Sequence, residues 1–83
     1  MELRGKQVRW FRSARRHRIG KASAFFVMTH VVATETAETE DLDARLSWVG
    51  LDERGRELEI VALDLPDSII VIHVFPTSLR KEA

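Results

Sequence analysis

The sequence predicts a small α+β protein: a twisted antiparallel sheet with a helical hairpin packed on one face, in the order β-α-α-β-β-β. Three observations carry this. First, the stretch from Arg45 to Phe75 is cut by two turn signals, Asp52 to Arg56 and Leu65 to Ser68. The three strand-like runs that result outline an antiparallel meander. Second, the last run, Ile69 to Phe75, is apolar at every position except His73. Such a run is expected to have both faces covered and to lie in the middle of the sheet. Third, Lys21 to Thr34 places Ala24, Phe25, Val27, Met28, Val31 and Val32 on one helical arc, the face expected to lie on that sheet.

Composition sets the bounds. With 83 residues the chain reads as one domain, residues 1–83, with a limited core. Apolar residues make up 45%, too many for a disordered segment. Without cysteine there is no disulfide framework and no thiolate metal site. The basic N-terminus lacks the apolar stretch of a signal peptide, and no apolar run matches a membrane span. A soluble, cytoplasmic protein with no membrane partner is expected.

Net charge is zero, but the charges are segregated. Arg4 to Lys21 holds eight Lys or Arg and no acid; Glu35 to Asp43 holds five acids and no base. The basic segment suits a polyanion. It could equally pair with the acidic segment inside the molecule or stay solvated.

Taken in order, Gln7 to Phe11 alternates, with Val8 and Trp10 on one side and Gln7, Arg9 and Phe11 on the other, as a short strand does. Ser13 can cap a short helix over Ala14 to Arg18. Gly20 can stop that helix and start the next, which completes the hairpin. Within the long helix, Phe26 points away from the apolar arc; it is either covered by the first helix or the N-terminal strand, or left as an aromatic anchor for a partner protein. Glu35 to Ala44 reads as a solvated acidic linker. In the meander, Leu46 and Trp48 face one way and Arg45, Ser47 and Val49 the other. Gly55 supplies the positive φ of the first hairpin loop, and Pro66 suits the second turn. Pro76 ends the ladder because it has no N–H to donate. A short polar tail follows.

No phosphate-cradling glycine loop, nucleophile elbow or HExxH pattern is present. Three scattered histidines and an acidic linker do not propose a metal site. No cofactor is implied. The remaining Arg and His suit one reaction: cleavage of RNA by its own 2′-hydroxyl, without a metal. That reaction needs a group to take the 2′-OH proton, cationic donors on the phosphate, and an acid for the 5′-oxygen. Histidine can perform either proton transfer, and arginine grips phosphate with two donors. His73, on the same side as Ile69, Val71 and Phe75, is either a hydrogen-bonded core residue or the proton-transfer group. Arg45 and Arg56 are candidates for the phosphate. Glu57 and Glu59 share a strand face, where one is either a base or an ion-pair partner. Arg9, Arg12, Arg15, Arg16, His17, Arg18 and Lys21 are candidates for the RNA backbone. His30 is expected at the surface.

These features resemble the RelE/ParE-like superfamily of toxins, and within it the BrnT-type toxins of toxin–antitoxin pairs. The resemblance rests on Arg16-His17-Arg18-Ile19, similar to the Lys-His-Gly-Val that opens the second helix there. It also rests on Arg45 entering a strand, Gly50 near its end, Gly55-Arg56 at the hairpin and the apolar strand beyond. It implies a ribosome-independent endoribonuclease neutralised by a small DNA-binding antitoxin encoded alongside. The chain departs from the family in a shorter first helix, in its neutral charge, and in Pro76 where the family's last strand ends in Ser-x-Arg. Arg80 is the nearest substitute in the tail. The expectation is therefore a toxin-like endoribonuclease with Arg45, Arg56 and His73 at its centre, RNA and an antitoxin as partners, and homodimerisation left open. The alternative is a non-catalytic protein-interaction or nucleic-acid-binding domain, with Phe26 as the partner anchor.

Overall fold

The computed structural model describes residues 1–79. It is a small α+β domain with one α-helix and a curled, six-stranded mixed sheet. The predicted meander is present as β4 (Arg45–Leu51), β5 (Glu57–Asp64) and β6 (Ser68–Pro76), all antiparallel neighbours. Before it come β1 (Glu2–Leu3), β2 (Lys6–Trp10), α1 (Lys21–His30) and β3 (Thr34–Thr36). The strand order is β1-β2-β6-β5-β4-β3. β6 is thus internal to the sheet, with β2 on one side and β5 on the other.

The sheet is not wholly antiparallel: β2 runs parallel to β6, with Val8 opposite Ile69 and Trp10 opposite Val71. Parallel neighbours need a crossover connection, and the path through α1 and the meander provides it. The expected helical hairpin is also absent. Only Lys21–His30 is α-helical; Arg12–Arg15 forms a single 3-10 turn. Ser13 does not cap a helix. Its hydroxyl donates instead to the Ile72 carbonyl of β6 at 2.6 Å. Arg18, with φ of 60°, then turns the chain through the left-handed region, which stops any helix at that point.

Two edge strands were not expected. β1 pairs with β2 around Arg4-Gly5, both with positive φ (58° and 75°), the backbone of a tight two-residue hairpin. β3 takes the start of the presumed linker, with Thr34 opposite Ser47 and Thr36 opposite Arg45. Thr34 and Thr36 are β-branched, and Val31 already has an extended backbone. The helix therefore ends at His30, and Val32 is 92% exposed rather than packed on the sheet. Arg4, in the turn after β1, pairs with Glu35 of β3 at 2.9 Å. In a flat sheet these edges would stand more than about 20 Å apart. The sheet curls until they meet.

The core lies between the sheet and α1. Leu46, Leu58, Ile60, Ala62, Ile69, Val71 and Val74 project from the strands, and Ala24, Val27 and Met28 from the helix; all are buried. Ala14 and Ile19 close one end. An isolated helix of ten residues is marginal in water. This packing, not helix propensity, holds α1 in place. Gly50 permits the closest approach. A Cβ there would collide with the Val31 side chain and lie 3.6 Å from Val27 Cγ1. No helix among the described residues is long and apolar enough to cross a membrane.

Gly50→Ala is expected to lower the free energy of unfolding by about 1–3 kcal/mol through overpacking. In a denaturant-melt cycle with Val31→Ala, the two changes should couple rather than add. An unchanged midpoint in Gly50→Ala would mean that the helix does not approach this strand so closely.

Candidate functional site

One irregularity in the central strand builds the site. The ladder between β5 and β6 shifts at Val61/Ala62: Val61 faces His73, whereas Ala62 faces Val71. Ile72 is the extra residue of a β-bulge. Before it, Ile69 and Val71 face the core; after it, Val74 does. The bulge therefore changes the parity of the strand. His73 lies on the face away from α1, not on the side of Ile69 and Val71 as strict alternation predicts. The Ile72 carbonyl is satisfied by Ser13, and the Phe11 N–H donates to the Val71 carbonyl at 2.9 Å. Without Ser13, the bulge would leave a half-buried acceptor unpaired.

On this outer face His73 Nε2 lies 3.3 Å from Glu59 Oε1. Both side chains are partly exposed, at 40% and 26%. The His73 ring stacks on Phe75, with centroids 5.6 Å apart and 20° between planes. His17 meets the same Phe75 ring edge-on, with centroids 5.0 Å apart and 80° between planes. Two imidazoles far apart in sequence thus share one aromatic neighbour. Glu57, on the same strand face, accepts from the Thr77 hydroxyl at 2.7 Å.

A basic rim adjoins this face. Arg12, Ser13, Arg15 and Arg16 line an open cavity of about 610 Å³. A second, of about 310 Å³, is lined by Arg15, Arg18, Ile19, Gly20 and Lys21. Arg9 is exposed on β2, and the Lys21 ammonium sits 6.0 Å from the Trp10 ring centroid. Among the described residues, ion pairs reach Arg4, Lys6 and Arg56 but none of Arg9, Arg12, Arg15, Arg16, Arg18 and Lys21. The acidic run Glu38 to Asp43 does not neutralise them.

Of the three residues expected to form one reacting centre, Arg45 and His73 share the outer face and Arg56 does not. Arg45 is half-buried, with Leu63 of β5 and Thr36 of β3 as ladder neighbours. β5 separates it from β6 and its ladder position lies two residues from that of His73, so the two stand roughly 12 Å apart. Arg56 turns to the helix side. Its Nε donates to Asp52 Oδ2 at 2.8 Å and its Nη2 to Ser23 Oγ at 3.4 Å. Ser23 in turn donates to Glu53 at 2.9 Å, so α1 is tied to the β4–β5 hairpin. Phe26 is half-buried and stacked on His30, with centroids 3.9 Å apart. Arg80 lies outside the described residues. Among those described, no three His, Asp or Glu side chains gather as metal ligands.

Asp52 organises the hairpin. Its carboxylate is buried and accepts from the N–H groups of Arg54 (2.9 Å) and Arg56 (2.8 Å) as well as from the guanidinium. Burial alone pushes its carboxyl up. The backbone bonds from Arg56 and Arg54 and the Arg56 guanidinium outweigh that and hold it below its ordinary value of 3.8. The stabilisation is therefore complete above the unfolded value and is lost as pH falls through the lower, folded one. Asp52→Asn should cost about 1–3 kcal/mol at neutral pH. Its unfolding free energy should also fall less steeply than the wild type's below about pH 4, as followed by denaturant melts across that range. Parallel acid profiles for the two chains would contradict this account.

Compared with protein families, with curated proteins and with solved structures, the chain finds no match, so the functional reading rests on the geometry above and on the sequence resemblance.

Proposed function

We propose that this chain is a toxin-type endoribonuclease, of the RelE/ParE-like kind and nearest to BrnT, that cleaves RNA by 2′-hydroxyl attack without a metal. The observation that carries it is the meeting of His73, paired with Glu59, and His17 at one Phe75 ring, beside an arginine-lined cavity whose charge no described acid neutralises.

In this reading the RNA phosphate sits against Arg12, Arg15 and Arg16, whose forked donors match its oxygens. His73 donates from Nε2 to Glu59, which leaves Nδ1 to take the 2′-OH proton. The 2′-oxygen forms a bond to phosphorus as the bond to the 5′-oxygen breaks. His17 gives its proton to that leaving oxygen. The products are a 2′,3′-cyclic phosphate and a 5′-hydroxyl end. Glu59 stabilises the imidazolium formed on His73, and the arginines stabilise the charge on the equatorial oxygens. Arg45 contributes field from the same face rather than contact. Arg56 maintains the hairpin. The resemblance adds a partner, a small antitoxin protein that would neutralise the site.

A second reading, a nucleic-acid-binding module without cleavage, is favoured by Arg56 being engaged away from His73. One assay separates the two. Purified protein is incubated with a labelled RNA in excess chelator, and fragment ends are analysed. Cleavage with cyclic-phosphate ends is expected, slowed about 10²–10⁴-fold by His73→Ala and by His17→Ala. Arg45→Ala should slow it by less than about tenfold, because charge at that separation is screened. Salt-sensitive binding without cleavage would overturn the enzyme reading in favour of the module.

A further inference from the structure

Phe11 is the one aromatic among the large apolar side chains that the described residues leave exposed, at 52%. It is absent from the side chains packed against the core, whereas its neighbour Trp10 is among them and also lies near Lys21. Nor is its ring engaged by another ring or a cation among the described residues. Its backbone, by contrast, is held. φ of −79° and ψ of 159° continue the extended strand, and the N–H is bonded to the Val71 carbonyl. The alternation of β2 puts Phe11 on the side of Arg9, opposite buried Val8. The parallel register places it beside the bulge, one strand from His73. The next residues, Arg12 and Ser13, line the larger cavity.

An aromatic face fixed at the rim of an open basic cavity, next to the His73–Glu59 pair, has a specific use. We infer that Phe11 is a stacking platform for an unpaired base of the strand whose phosphate enters the Arg12–Arg15–Arg16 cavity, so that the protein selects single-stranded RNA. This deepens the endoribonuclease reading and rests on it. In a duplex each base is covered by its neighbours in the stack. An unpaired base offers its π-face, and aromatic stacking is the usual way in which proteins hold it. The arginines then supply the salt-dependent attraction, and Phe11 supplies the discrimination between strand and duplex.

The test is equilibrium binding of a short, fluorescently labelled 2′-O-methyl RNA, which cannot be cleaved, to the full chain. The same strand annealed to its complement serves as the duplex. The single strand is expected to bind more than about tenfold tighter than the duplex. Phe11→Ala should weaken single-strand binding about 5- to 150-fold and leave duplex binding unchanged. Because no charge is removed, the slope of affinity against salt should be unaltered in Phe11→Ala and reduced in Arg15→Ala. Phe11→Leu, run beside it, keeps apolar bulk without the ring; it should lose the preference too, with a thermal midpoint matching the wild type. Phe11→Trp should keep it. If the wild type prefers the single strand and Phe11→Ala and Phe11→Leu prefer it equally, the platform is wrong and the endoribonuclease reading stands. If the wild type binds neither RNA, both readings fall together.

Discussion

The site depends on one extra residue in the central strand. β6 must bury Ile69 and Val71 near its start and Val74 near its end, and in an unbroken strand Val74 would face the other way. The bulge at Ile72 lets both halves feed the same core. Each fully buried aliphatic side chain is worth about 1.5–3 kcal/mol, against about 0.5–1.5 kcal/mol for a ladder hydrogen bond, and Ser13 already satisfies the Ile72 carbonyl. The outward aim of His73 and Phe75 is the other half of that arrangement. The same register shift that keeps Val74 inside turns the imidazole out beside Glu59.

The bulge also explains why the basic segment lies where it does. Past Trp10 the chain leaves β2, yet the Phe11 N–H and the Ser13 hydroxyl still reach the carbonyls of Val71 and Ile72. These two bonds fasten the 3-10 turn along the edge of β6 that β2 no longer covers. Ala14 sinks into the core as an anchor. Arg12, Arg15 and Arg16 are left pointing outward, and His17 arrives at Phe75. A regular two-turn helix here would have spread these side chains around its circumference. The strained turn at Arg18 then redirects the chain into α1. A non-glycine residue in that region costs of order 1–3 kcal/mol, and such strain tends to occur where geometry serves a site.

The meander was legible because its signals are local. Gly55 sits in a loop that needs its positive φ, Pro66 suits the second turn, and each strand carries its own pattern. Those cues located all three strands to within a residue or so. What stayed hidden was non-local. No property of Gln7 to Trp10 announces a parallel partner. Ser13 reads as a helix cap because its true acceptor lies on a strand 59 residues away. The bulge could not be read either: alternation vanishes in a strand that is apolar on both faces, and with it the evidence of which way His73 points. Thr34 and Thr36 did carry a β signal, masked by the acids around them. For the candidate site, His73 and the arginine run were singled out in sequence, but the Phe75 ring that gathers two imidazoles was not, since nothing in sequence links residues 17 and 75.

Arg45 and Arg56 show why residue type alone does not place a side chain. Arg45 opens β4 and Arg56 directly precedes β5, and both looked available for a phosphate. One residue of parity separates their fates. Arg56 precedes Leu58 by two, so it faces the core side, where buried Asp52 waits with a carboxylate already holding two backbone N–H groups. That carboxylate needs a cation: desolvation opposes its charge, and the guanidinium compensates while tying the hairpin to Ser23. An arginine so engaged cannot swing to a substrate without leaving Asp52 buried and short of its partner. Arg45 has no such obligation and keeps to the outer face. The described arginines therefore differ in what faces them. Arg56 lies against a buried acid and holds the fold, whereas Arg12, Arg15 and Arg16 are exposed and make no ion pair among the described residues. By that criterion the charge proposed to bind RNA is that of the 3-10 turn beside β6, and the meander supplies the His73–Glu59 pair next to it.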